Sequence, residues 1–270
     1  MPNDHYTSRF LIAPWQIEPR RLHHYDFSTG TFDDGSPESL FADEGLHSDE
    51  VGNVVSALIE SPAASYRAEI LQPGVSGNSS GEWKVYRALV AMVWLKVAGD
   101  GRSRIDLPSD EPFTLEGLCA QREKLLDLIG KASVEACPLI GVPLPPSAAP
   151  LYFTEAGYFA IPLVGSPPIL AVPLTPRHFI ATPQKGFSAD GLTQWLSHPV
   201  ALSAFSIGVG PADRVVIPPE LIETKQANPL GFQRALHEQR KNAEDLFELV
   251  REANRLVAYR PVTPPSGEIS

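Results

Sequence analysis

The sequence predicts an α+β protein: central helices packed on a mixed or antiparallel sheet of short strands, closed by a long C-terminal helix. Helical periodicity dominates from Ser48 to Lys131, short apolar runs broken by Pro and Gly follow, and one amphipathic stretch ends the chain. The composition agrees, because Pro 27 and Gly 20 beside only 20% charged residues demand many turns and exclude a coiled coil. Hydrophobic residues are 43% of 270, enough to bury a sizeable core. Residues 1–260 are therefore expected as a single domain, and 261–270 as a frayed tail.

The elements follow in order. The opening, His5 to Leu11, and Leu22 to Phe27 have the character of strands. Ser48 can cap a helix whose Val51, Val54, Val55, Leu58 and Ile59 keep the i, i+3, i+4 rhythm, with Pro62 expected to kink or end it. Gln72 to Gly81 has the composition of a linker. Trp83 to Ala98 is apolar on most of its circumference and is expected to be the central buried helix, and a third helix spans Leu115 to Lys131. Pro138 to Pro150 reads as irregular. Strands are then expected at Leu151–Phe153, Tyr158–Val164, Ile169–Leu174, Arg177–Thr182, Ala201–Ile207 and Arg214–Ile217. The closing helix runs from about Phe232 to Tyr259, with Leu236, Ala243, Leu246, Phe247, Val250, Ala253 and Val257 on one face.

Charge and cysteine content exclude several classes. The balance of 32 acids against 22 bases argues against a broad nucleic-acid or anionic-membrane footprint, so nucleic acid is expected only through a local basic cleft. From Leu22 to Tyr66 there is no Lys or Arg but nine acids, and the 33–50 region could meet a protein partner. It lacks the ligand rhythm of a calcium loop. Two Cys rule out a disulfide framework and suit a reducing compartment, and no apolar run approaches a bilayer span. With no basic, apolar leader at the start, the expectation is cytoplasmic and without membrane contact.

No phosphate loop, dinucleotide fingerprint or zinc-protease motif occurs, so neither cofactor nor metal is expected. The adjacent His23 and His24 would point to opposite sides of a strand and could not chelate one ion. Candidate chemistry rests on two His–Arg pairs. In an extended opening segment His5, Thr7 and Arg9 would share one face, giving an acid–base group beside a phosphate clamp. Arg177 and His178 repeat the pair, with Glu155 as a further acid. Convergence of these residues would make a metal-independent phosphodiester site. The competing reading makes His5 and Arg9 structural pins that hydrogen-bond the body of the protein.

The opening His5-Tyr6-Thr7-Ser8-Arg9-Phe10-Leu11 resembles the His-Tyr-Val-Pro-Arg-Phe-Leu start of an uncharacterised, mainly bacterial family, a domain of unknown function numbered four-two-three-eight in that series. Leu22 to Phe27, Ser36-Pro37-Glu38-Ser39, Ile59-Glu60, Pro173-Leu174-Thr175-Pro176 and Asn254 resemble further parts of it. Where that family has a Thr-Ser-Asp-Asn-Pro turn, this chain has Thr154-Glu155-Ala156-Gly157-Tyr158, so an Asp role there would pass to Glu155 or be lost. The resemblance implies no activity. Two functions follow from the residues: a small hydrolase, nuclease-like, using His/Arg chemistry, or a non-catalytic interaction protein using the acidic surface or a Pro-lined groove.

Overall fold

In the computed structural model, the described residues are 3–5, 8–44, 49–71, 86, 89, 140–154, 157–182 and 214–258. The expected linker at 72–81, the helix at 115–131, the strand at 201–207, the cap Ser48, both Cys and the tail lie outside them. Within them the class is α+β, as predicted. β1 (Asn3–His5) pairs antiparallel with β4 (Ala42–Glu44). A four-stranded antiparallel sheet has the order β3-β2-β10-β6, from Thr31–Gly35, Leu22–Asp26, Arg214–Val216 and Phe153–Thr154. A second has the order β5-β9-β8-β7, from Ile140–Pro143, His178–Thr182, Ser166–Thr175 and Phe159–Leu163.

The β2–β3 hairpin is made by its turn. The Asp26 carboxylate accepts the backbone N–H groups of Ser28 and Thr29 at 2.8 and 3.2 Å, and Gly30 takes φ +70°, a conformation that disfavours a side chain. Alternation along β2 then divides two cores. Leu22 faces Trp15, Phe41, Phe153 and Val216 in the larger one, while Tyr25 faces Val215, Ile217, Phe232 and Leu236 in the smaller.

Several boundaries depart from expectation for local reasons. Residues 140–143 form an edge strand inside the segment read as irregular, because Ile140 and Val142 alternate before Pro143 ends the pairing. β8 runs through three prolines as one ten-residue strand, and its register on β9 shifts between Pro173 and Thr175, where Pro cannot donate to the ladder. After α2 (Asp49–Val55) the helical path widens into a π-helical turn, Ser56–Glu60, before α3 (Ser61–Ser65). The widened turn closes with the Ser61 N–H on the Ser56 carbonyl, immediately before Pro62, which has no N–H to give the helix. α4 (Arg67–Ile70) completes this segment. Tyr86 and Leu89, the described members of the expected central helix, are helical and fully buried.

A short α5 (Ile222–Ala227) leads into α6 (Pro229–Ala258), thirty residues and about 45 Å long. It starts three residues earlier than predicted. Asn228 caps it by accepting the Gly231 N–H at 3.0 Å, and Pro229 takes the first position, where no N–H is needed. A Cβ on Gly231 would collide with the Asn228 side chain, so the cap requires glycine there. The first half of α6 covers the β2–β10 face through Phe232 and Leu236, and its far end meets the β7–β8 hairpin, where Asn254 Oδ1 accepts the Gly165 N–H. No described helix is long and apolar enough to cross a membrane.

Candidate functional site

The opening segment does not keep one pleated face. β1 ends at His5, opposite Ala42, and the chain turns at Ser8 into α1 (Arg9–Ile12) and a 3₁₀ turn, Ala13–Trp15. The reason is burial: helical spacing sends Leu11, Ile12 and Trp15 into the main core together. Buried Ser8 donates its hydroxyl to Glu60 Oε1 at 2.6 Å across the π-helical turn. Arg9 is exposed. Burial pushes the Glu38 carboxyl up, but its own backbone N–H, Ser36, Arg20 and Arg9 together hold it below its ordinary range.

The second pair sits in the turn joining β8 to β9. Arg177 places Nε and Nη2 on the Glu220 carboxylate and donates Nη1–H to the Ala148 carbonyl at 2.6 Å. That fork is filled, which leaves little for a phosphate. His178 is half-buried, its Nδ1 lies 3.2 Å from Thr175 Oγ1, and burial holds its pKa below the ordinary value. The two segments do approach each other: Arg67 donates to the carbonyls of both Phe10 and Leu174. A structural guanidinium thus stands between them. Glu155 lies outside the described residues.

Several carboxylates of the acid-rich stretch have internal partners, and the arginines among those partners, Arg20 and Arg21, lie just before it. Asp33 accepts the Asp34 N–H at 2.8 Å; Asp34 is held by Arg21 at 2.9 Å and by His23 Nδ1 at 2.6 Å; Glu38 meets Arg20 at 3.1 Å. The His23 contact is the leading cause of an Asp34 pKa below the ordinary value. Among the described residues, no group of three or more His, Cys, Asp and Glu is placed to hold a metal ion.

His23 and His24 do face opposite sides of β2, and each keeps a buried ring nitrogen without a hydrogen-bond partner. For His24, 8% exposed, burial is the main cause that lowers the pKa; Asp33 and Asp26 oppose it, while Arg214 and His23 add to it. The unfolded chain therefore takes up protons first. Stability from neutral His24 is complete above its ordinary value of 6.5 and is lost as pH falls through the lower folded value, at up to about 1.4 kcal/mol per pH unit. His178 acts in the same sense. Urea midpoints should decline steadily from pH 7 to pH 5, less steeply in His24→Gln; a flat wild-type profile would refute this.

A different cluster gathers on α6. Tyr25, fully buried on β2, places Oη 2.8 Å from Nε2 of His237 and receives Nε2–H of Gln233 at 2.9 Å. The same Gln233 nitrogen lies 3.3 Å from the Gly30 carbonyl, in the β2–β3 turn. His237 stands edge-on to Tyr25 and Phe27, with centroids 5.7 and 5.2 Å away, and its ring is otherwise exposed. The Arg240 guanidinium lies 4.6 Å over Phe27 and also meets Glu244 at 3.3 Å. Arg234 and Lys241, at i−3 and i+4 from His237, share its helix face and have no ion-pair partner among the described residues. Glu238 stands between them, exposed and equally unpaired.

This cluster was not nominated from the sequence, where the α6 charges read as balanced and solvated. The signal that could have found it is the Gln233–His237 spacing of four, which puts an amide and an imidazole within reach of one cross-packed side chain. The arrangement is chemically specific: one imidazole nitrogen is fixed by a buried phenol, the other faces solvent, and cations flank it. No family model matches this chain, and neither does any curated protein or solved structure. Fold and cluster together define an α+β protein of antiparallel sheets with a tyrosine-anchored histidine on its closing helix.

Proposed function

We propose that the protein is a hydrolase of phosphate esters in which His237 is the imidazole that meets the substrate. The observation that carries this reading is the 2.8 Å contact between Tyr25 Oη and His237 Nε2 on an otherwise exposed ring. An imidazole oriented through one nitrogen and open at the other is the arrangement that stabilises charge developing on a phosphoryl oxygen. Arg234 and Lys241 supply positive charge beside it, offset in part by Glu238 between them, and Arg240 adds part of its own. In the reaction a water oxygen bonds to phosphorus, and the P–O bond to the alcohol breaks. The alcohol leaves with a proton drawn from water.

This keeps the His/Arg chemistry expected from the sequence but moves it from His5, Arg9, Arg177 and His178 to the closing helix. The interaction reading gains less support, because Asp33, Asp34 and Glu38 already have internal partners. A cytoplasmic setting belongs to the same proposal. The test is hydrolysis of bis(p-nitrophenyl) phosphate by the full chain. Wild type should turn over, and His237→Gln should lose on the order of 10²-fold or more with an unchanged melting temperature. No wild-type turnover, or full activity in His237→Gln, would overturn it.

A further inference from the structure

We infer that Gln233 is a positioning residue that, through Tyr25, locks neutral His237 in the Nδ1–H tautomer, so that the site offers its ligand a hydrogen-bond donor. The inference deepens the reading of His237 as the substrate-facing group and rests on it for its functional meaning. The proton bookkeeping begins at Gly30. Its carbonyl lies 3.3 Å from one end of the Gln233 amide, and a carbonyl cannot donate. The amide end facing it must therefore be the NH₂, since the flipped amide would set two oxygens against each other. The same NH₂ lies 2.9 Å from Tyr25 Oη. Tyr25 thus accepts from Gln233 and has its own proton left to place.

Its remaining neighbour at hydrogen-bond distance is His237 Nε2, at 2.8 Å. Tyr25 donates there, and Nε2 must be unprotonated to accept. A neutral imidazole with a bare Nε2 carries its proton on Nδ1, the nitrogen left free to face solvent. This is the reverse of the tautomer that a free histidine side chain favours in water. Neutral His237 therefore meets a ligand as a donor and not as a base. The ligand atom it fits is an anionic oxygen, here a non-bridging phosphoryl oxygen, with Arg234 and Lys241 beside it on the same helix face.

The experiment is long-range ¹H–¹⁵N correlation of the histidine rings in the ¹⁵N-labelled full chain at pH 8. Wild-type His237 should show a protonated-type Nδ1 and an unprotonated-type Nε2. In Gln233→Glu a carboxylate receives the Tyr25 proton, the phenolic oxygen turns its lone pairs to His237, and the tautomer should reverse. Tyr25→Phe removes the lock by another route and should also restore Nε2–H. The His23 and His24 resonances report whether each variant keeps the native fold. A wild-type Nε2–H signal, or a natively folded Gln233→Glu that keeps the wild-type tautomer, overturns the inference. The two failures separate: a correct tautomer without hydrolysis defeats the hydrolase reading alone, and hydrolysis with the wrong tautomer defeats the lock alone.

Discussion

Trp15→Ala is expected to be among the most damaging single changes in the chain, costing about 3–5 kcal/mol, as large-to-small changes at buried aromatic sites do. Trp15 is fully buried, and its ring meets Phe153 edge-on at a centroid distance of 4.9 Å. It also donates Nε1–H to the Leu151 carbonyl at 2.8 Å, across 136 residues of sequence. Loss of the side chain opens a cavity and strands that carbonyl in an apolar core. Trp15→Phe divides the two effects: it keeps most of the volume and loses the bond, so it should cost about 1–3 kcal/mol. Urea unfolding of the three proteins measures both quantities. A Trp15→Ala midpoint close to wild type would mean that the N-terminal 3₁₀ turn is not seated in the main core.

The sequence made some of this legible and hid the rest for identifiable reasons. β2, β7, β9 and α6 are written in local pattern, because alternating or 3.6-periodic apolar residues leave one solution for burial. β3 is not, since Thr31 to Gly35 is mostly polar and becomes a strand through the Asp26–Gly30 turn that folds it onto β2. The opening segment misled for a related reason. Alternation of His5, Thr7 and Arg9 looks like a strand face, yet Leu11, Ile12 and Trp15 win the competition by burying more as a helical turn. The candidate cluster shows the same limit from the functional side. His237 is ordinary in its local sequence, and what distinguishes it is Tyr25, 212 residues away, which only the packing of α6 on β2 brings within reach.

Arg67→Met should rank beside Trp15→Ala, with an expected cost of about 3 kcal/mol from the loss of two hydrogen bonds donated by a charged group. The Arg67 guanidinium donates to the Phe10 carbonyl at 2.9 Å and to the Leu174 carbonyl, so one side chain joins α1 to β8. Burial alone pushes its pKa down, and the nearby Tyr86 opposes that; the charge persists because two carbonyl dipoles replace the water it lost. Met keeps the aliphatic volume of the stem and removes every donor, which leaves both carbonyls unanswered at the junction between the opening segment and the second sheet. Arg67→Lys is the informative companion. An ammonium retains the charge but not the planar fork that reaches two acceptors at once, so it should recover only part of the loss. The consequence is local as well as global: with the clamp gone, the first residues should become accessible to protease while α6 stays protected. Urea midpoints give the first quantity, and limited proteolysis with mass mapping of the cut sites gives the second. If Arg67→Met unfolds within about 0.5 kcal/mol of wild type, the guanidinium is a surface group and the opening segment is held by apolar burial alone.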